Sequence, residues 1–164
     1  MGVGQSFREL LEVLLRHDVD FLIVGATAAV LEGAPMTTFD LDIVFEPSPE
    51  NRPRLLGALI DIDAVYLDPL RRGIRPTEER LAAHRLSLFE TRLGRLDVMT
   101  SIAPGWGWNE LVPRSHRLEA AGGTLRVLDL EAVIESKQAT DREKDRAALP
   151  LLREVLRQRG KRSR

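Results

Sequence analysis

Two aspartates inside an apolar strand pattern are the first residues of this sequence that could do chemistry. The segment TTFDLDIVF, residues 37–45, places apolar residues at every second position, as is typical of a half-buried strand (Phe39, Leu41, Ile43 and Phe45). Asp40 and Asp42 interrupt it, and side chains two apart on a strand share a face, with Cα atoms roughly 6.5–7 Å apart. Two like charges placed in this way need pairing, hydration or a bound cation.

The surrounding sequence separates this pair from the other Asp-x-Asp patterns, which occur at residues 18–20 and 61–63. The first lies between a predicted helix and a strand, and the second follows the end of a predicted helix. Aspartate commonly caps helices and forms turns at such places. The pair at residues 40–42 falls inside an apolar strand and follows a strand–Gly–helix unit. A third acid, Asp97, stands among apolar residues in GRLDVMTSI. If the two strands are neighbours, the three carboxylates converge.

Oxygen ligands of this kind favour Mg²⁺ or Mn²⁺ over zinc. The sequence has no cysteine, which excludes disulfides, a thiolate nucleophile and cysteine-based zinc or iron–sulfur sites. Its three histidines are scattered along the chain, so a histidine metal cluster is not expected (His17, His84 and His116).

Composition indicates one globular domain. Of the 164 residues, 43% are apolar and 30% charged, and no apolar run approaches the ~18 residues of a membrane span. No export signal is visible, so we expect a cytoplasmic protein with no membrane partner. The net charge is −1, but residues 71–95 and the chain from Pro150 onward are basic, which leaves room for a polyanionic partner. We predict a core over about residues 5–128, C-terminal helices over about 129–158 and a basic tail at 159–164.

The spacing of apolar residues and of turn residues predicts the elements. Helical spacing predicts helices over about residues 6–17, after Gly25, from Ser48-Pro49 to about Ile60, and over about 129–137 and 141–157, with a bend at Pro150. Short apolar runs predict strands at residues 20–25 and 40–46, a strand pair joined through Gly94, and a hairpin that turns at Gly122-Gly123.

The stretch FLIVGATAAVLEGAPMTTFDLDIVFEP resembles the signature of the nucleotidyltransferase superfamily with the DNA polymerase β fold. It is most similar to the AbiEii-like and MenT-like toxins of type IV toxin–antitoxin systems. That signature is an apolar strand, Gly-Gly or Gly-Ser, a short helix, a Thr-x-Asp approach, Asp-x-Asp and a later lone Asp. The C-terminal LEAVIESKQATDREKDRAALPLL also resembles the helical ending of this branch. Residues 47–90 align to no part of the family.

The resemblance implies an α+β fold, a small mixed β-sheet flanked by helices with a C-terminal helical segment, and it implies a set of site residues. The catalytic residues and metal ligands are Asp40, Asp42 and Asp97. The nucleotide-binding residues are Gly25, Ala26, Thr27, Thr38, Lys137 and Arg142, with Lys144-Asp145 also matching the ending. Ala26 stands where the family usually has Gly or Ser, and Met36 stands where many members have Arg. Thr27 is the residue that could replace the hydroxyl of the missing Ser.

The implied activity is metal-dependent transfer of a nucleoside monophosphate from a nucleoside triphosphate to an acceptor hydroxyl. In such chemistry, two divalent ions screen the phosphates, lower the pKa of the attacking hydroxyl and stabilise the leaving group. The resemblance implies a toxin with an antitoxin partner. The acceptor stays open between RNA or tRNA, a protein and a small molecule such as an aminoglycoside-type drug. The alternative is a nucleotide-binding regulatory or interaction module with little or no catalysis.

Overall fold

The computed structural model describes residues 5–38 and 40–163; Phe39, part of the predicted alternation, lies outside them. The helices are α1 (Gln5–Arg16), α2 (Gly25–Leu31), α3 (Asn51–Asp61), α4 (Glu78–Ala83), α5 (Trp108–Leu111), α6 (Leu130–Thr140) and α7 (Glu143–Arg162). The strands are β1 (Phe21–Ile23), β2 (Asp40–Phe45), β3 (Val65–Tyr66), β4 (Leu86–Thr91), β5 (Gly94–Met99), β6 (Ser115–Ala120) and β7 (Gly123–Leu128).

The strands form one mixed sheet in the order β3-β4-β5-β2-β1-β7-β6. The central strand β2 pairs parallel with β5 and antiparallel with β1, and β1 pairs parallel with β7. Antiparallel hairpins, β4–β5 and β6–β7, extend the sheet on both sides. The predicted α+β class, with a small mixed sheet and C-terminal helices, is therefore confirmed.

Apolar periodicity decides which residues enter the core. Leu10 and Leu14, one helical turn apart on α1, are fully buried, and α1 packs against α3. On β2, Leu41 and Ile43 are fully buried, whereas the side chains at positions 40 and 42 stay partly accessible on the other face. The same alternation that builds the core thus presents the two aspartates away from it.

Three predicted boundaries differ from the structure. The hairpin turns at Ala121-Gly122, both with positive φ, one residue earlier than predicted. The helix predicted from Ser48 begins at Asn51, whose N–H donates to the Ser48 hydroxyl at 3.1 Å. Helix α7 runs to Arg162, so most of the predicted basic tail is helical.

The short elements β3 and α4 fall within residues 47–90, which resemble no part of the family. With two and six residues, they are too short to show a period. Across residues 5–38 and 40–163, no helix has the length and apolar content needed to cross a membrane.

Candidate active site

The register between β2 and β5 brings the predicted carboxylates together. Asp42 lies directly opposite Asp97, and Asp40 lies opposite Arg95. Because opposite residues and residues two apart share a face, all four side chains project from the same side of the sheet. The two aspartate-bearing strands are thus neighbours, which is the condition under which the three carboxylates converge.

The carboxylates strongly influence each other's protonation. Burial, then the charge of Asp97, the hydrogen bond with Asp97 and the charge of Asp40 raise the pKa of Asp42 to about 7, against a smaller opposing effect of Lys144. Burial also raises the pKa of Asp97, although the hydrogen bond with Asp42 and the charge of Arg95 oppose this rise. The pair therefore retains a proton above the usual carboxyl range, because burial first, and then the neighbouring carboxylates, disfavour the ionised forms.

Gly25 lies against the same carboxylate. Its φ of +63° is in the left-handed region, and a Cβ built on it would overlap Oδ2 of Asp42. The adjacent Val24 N–H donates to the backbone oxygen of Asp42 at 3.0 Å, which fixes the two segments side by side. A Cβ atom does not fit at position 25 without displacing the Asp42 carboxylate, which explains why glycine occupies it.

Two threonine hydroxyls fix the backbone at Asp40. Thr27 Oγ1 and Thr38 Oγ1 donate to the Asp40 carbonyl oxygen at 3.0 and 3.1 Å. Thr27 is fully buried, and Ala26, Thr27 and Thr38 do not line the cavity that holds the carboxylates. The expectation that the Thr27 hydroxyl replaces a phosphate ligand is wrong, because that hydroxyl is already used within the fold, and Thr38 likewise positions β2.

The C-terminal helices supply a cationic wall around Asp145. The Asp145 side chain, 1% exposed, accepts hydrogen bonds from Arg142 Nε at 2.7 Å and from Thr140 Oγ1 at 2.8 Å. Lys137 Nζ, on a side chain only 13% exposed, lies 3.5 Å from the same carboxylate. Burial alone would raise the pKa of Asp145, but the hydrogen bonds from Arg142 and Thr140 and the charges of Arg142 and Lys137 lower it below its ordinary value. Asp145 therefore orients two cations and stays ionised.

These groups face one cavity of about 520 Å³. Its polar lining comes from the carboxylates and from the helical wall (Gly25, Asp40, Asp42, Arg95, Asp97, Ser136, Lys137, Thr140, Arg142, Lys144 and Asp145). Six of the nine predicted site residues are among them, and the exceptions are Ala26, Thr27 and Thr38. A volume of this size is typical of sites for nucleotides and other small molecules.

The remaining wall is apolar and was not predicted. It is formed by the β4–β5 hairpin and the loop that follows (Leu86, Leu88, Met99 and Ile102), and Arg85 lies at the start of this hairpin. Leu88 lies directly opposite Asp97, and Leu86, which is 39% exposed, lies opposite Met99. The alternation of apolar residues in β4 is visible in the sequence. Only the pairing of β4 with β5, however, places Leu86 and Leu88 beside the carboxylates.

The basic segment at residues 71–95 is used mostly in local contacts. Arg72 Nε pairs with Asp68 at 2.7 Å, Arg85 donates to the carbonyl of Ser101 at 2.6 Å, and Arg92 donates to the carbonyl of Asp61 at 3.2 Å. These three arginines are thus engaged within the fold, and the use of this segment by a polyanionic partner stays a prediction.

The donor set fits a hard divalent cation. Asp40, Asp42 and Asp97 offer carboxylate oxygen, the ligand that Mg²⁺ and Mn²⁺ prefer, and burial, followed by the effects of Asp97 and Asp40, raises the pKa of Asp42. In the part of the chain that the structure describes, no group of three or more His, Cys, Asp or Glu side chains is already arranged around a metal position.

Three solved structures resemble this chain over most of its length. The lincosamide antibiotic adenylyltransferase LnuA, bound to lincomycin, gives a TM-score of 0.62 at 13% identity, covering 94% of this chain and 98% of LnuA. ANT(2'')-Ia in complex with adenylyl-2''-tobramycin gives 0.57 at 18% identity, covering 92% and 87%. A candidate nucleotidyltransferase from Thermotoga maritima gives 0.56 at 15% identity, covering 96% of both chains. The chain has the nucleotidyltransferase fold.

Comparison by sequence gives no further assignment, since no family model and no curated protein matches the chain. This fold is the one that the strand–Gly–helix and Asp-x-Asp signature implied. The signature lies on β1, α2 and β2, and the pairing of β2 with β5 brings Asp42 and Asp97 together.

Proposed function

We propose that this protein transfers a nucleoside monophosphate from a nucleoside triphosphate to an acceptor hydroxyl. The observation that carries the proposal is the cavity itself. On one side, β2 and β5 present Asp40, Asp42 and Asp97, and on the other, α6 presents Lys137 and the N-cap position of α7 presents Arg142. Carboxylates facing cations across a cavity suit a substrate that has both bound metal and phosphate.

The reaction would join the acceptor oxygen to the α-phosphorus and break its bond to the pyrophosphate oxygen. A pair of Mg²⁺ or Mn²⁺ ions would be held by Asp40 and Asp42 together with Asp97. When bound, these ions would screen the phosphates and activate the hydroxyl. We assign Asp97 as the residue that receives the hydroxyl proton. Lys137 and Arg142 would neutralise the departing pyrophosphate, and Asp145 holds both in place.

The acceptor that the cavity favours is a small molecule with an apolar surface. The β4–β5 wall places Leu86, Leu88 and Met99 beside Asp97, where the attacking hydroxyl would lie. The similar structures include a lincosamide antibiotic adenylyltransferase bound to lincomycin and ANT(2'')-Ia in complex with adenylyl-2''-tobramycin. An apolar wall next to the proton acceptor would bind the non-reacting part of such an acceptor.

A macromolecular acceptor is the second candidate. The resemblance to AbiEii-like and MenT-like toxins suggests RNA, tRNA or a protein, with an antitoxin as partner. The exposed basic end of α7 is the observation that favours it, since Lys161 and Arg162 are both exposed in its last turn. An RNA bound in this way would dissociate steeply with added salt.

Label transfer tests the proposal directly. The protein is incubated with each α-labelled nucleoside triphosphate and Mg²⁺ or Mn²⁺, with lincomycin, tobramycin, total RNA or cell lysate as acceptor. We expect a labelled acceptor and released pyrophosphate, both lost in Asp42→Asn. Nucleotide binding without transfer to any acceptor would instead support the regulatory module.

A further inference from the structure

The square of side chains on β2 and β5 contains a cation as well as three carboxylates. Arg95 lies opposite Asp40, and Asp97 lies opposite Asp42. Arg95 is two residues before Asp97 on β5, so its guanidinium projects toward the same cavity. An arginine is therefore built into the group of residues that we assign to metal binding.

Arg95 spans two of those carboxylates. Its Nη2 lies 3.4 Å from Asp97 Oδ1, and its Nε lies 3.9 Å from Asp40 Oδ1. The Nε atom is buried and has no hydrogen-bond partner among the described residues. The guanidinium thus neutralises the carboxylates at long distances without making a well-formed bidentate pair.

We propose that Arg95 is an internal counter-ion that occupies Asp40 and Asp97 and withdraws when a divalent cation binds. The proposal rests on the function proposed above. A cation that coordinates these oxygens repels a guanidinium at the same oxygens, so the two compete. Competition of this kind lowers the apparent metal affinity by the fraction of molecules in which Arg95 has left the carboxylates.

The sheet supplies a second partner for the released guanidinium. Glu90 on β4 lies directly opposite Arg95 on β5, and cross-strand neighbours point to the same face. Glu90 is exposed and does not line the cavity. Arg95 therefore has two carboxylate environments, Asp40 with Asp97 at the metal position and Glu90 outside it.

The test is the affinity of the metal alone, measured as Mn²⁺ binding by electron paramagnetic resonance without nucleotide. Arg95→Gln should bind Mn²⁺ roughly 1.4- to fivefold more tightly than wild type, since the loss of a partly exposed ion pair changes affinity by about this factor. Arg85→Gln is the matched control, because Arg85 lines the same cavity but donates to backbone carbonyls. It removes the same charge and should change Mn²⁺ affinity less.

Glu90→Gln gives the second readout. In the wild-type background it should weaken Mn²⁺ binding, because Arg95 then has only the metal-binding carboxylates as partners. In the Arg95→Gln background the same change should have no further effect. Equal effects of Glu90→Gln in both backgrounds would show only a general influence of charge and would overturn the proposal.

The remaining outcomes are also decisive. Transfer activity with normal Mn²⁺ binding, but no tightening in Arg95→Gln, overturns the role of Arg95 and leaves the proposed function intact. No Mn²⁺ binding by the wild-type protein, or Mn²⁺ binding that Asp40→Asn does not weaken, overturns both. Circular dichroism and thermal unfolding of each variant identify any that fails to fold, and Arg95→Lys, which keeps the charge without the fork, then replaces Arg95→Gln with a smaller tightening expected.

Discussion

Gly25→Ala should destroy activity at a small cost in stability. An L-residue at the left-handed φ of Gly25 costs about 1–2 kcal/mol, equal to a fall in Tm of roughly 2–8 °C for a chain of this size. The added Cβ would also overlap the Asp42 carboxylate, whose backbone is held by Val24. The side chain must therefore turn away, and a displacement of about 1 Å at a reacting centre can cost a hundredfold in rate.

Gly73→Ala is the matched control. Gly73 has a φ of +66°, almost that of Gly25, and an added Cβ there has no atom within 4 Å. Thermal unfolding in metal-free buffer and the rate of label transfer are measured for both variants. We expect comparable losses of Tm, but a loss of transfer only in Gly25→Ala. Wild-type transfer by Gly25→Ala, or equal loss of transfer in both variants, would refute the steric link between Gly25 and Asp42.

Four further outcomes can be measured with the same protein. Asp42→Asn should abolish transfer yet unfold at a higher Tm than wild type in metal-free buffer. Folding raises the pKa of Asp42 from 3.8 to about 7, so the stability of the wild-type protein falls as pH rises through this range. The difference in Tm between the two proteins should therefore widen over the same range. Asp145→Asn should lose about 1–3 kcal/mol in urea unfolding, because Lys137 and Arg142 lose a buried partner, whereas Asp141→Asn, at an exposed pair, should lose less than about 1 kcal/mol. Chelation by EDTA should abolish transfer, and added Mg²⁺ or Mn²⁺ should restore it; transfer that survives EDTA would contradict the metal assignment. Ala26→Ser should leave nucleotide affinity unchanged in calorimetric titration, because Ala26 does not line the cavity.

Local patterns were sufficient to predict the longer elements and the central motif, but not the short elements β3, α4 and α5. The alternation of β2 predicts a buried face and a face with two aspartates, and the structure has both. The patterns at residues 18–20 and 61–63 were correctly assigned to turns, since Asp18 and Asp63 have positive φ after helix ends. These features depend on neighbours within a few positions, which is the range over which sequence patterns carry information.

Features that depend on distant pairing could not be predicted. The position of Arg95 among the carboxylates follows from the β2–β5 register, and the direction of the Thr27 hydroxyl follows from the approach of α2 to β2. The end of α7 was predicted as a tail because its residues are basic and lack an apolar period. Instead, Arg159 anchors this end of the helix by pairing with Glu32, which lies 127 positions earlier in the sequence.

The cavity is assembled from widely separated parts of the sequence, and this has a consequence for synthesis on the ribosome. Asp40 and Asp42 are made before α6 and α7, which carry Lys137 and Asp145. Strand β1 also lacks its parallel neighbour until β7 has been made. A nascent chain thus carries the acidic half of the site before the half that balances a triphosphate. Nucleotide binding should appear only once the C-terminal helices have left the exit tunnel.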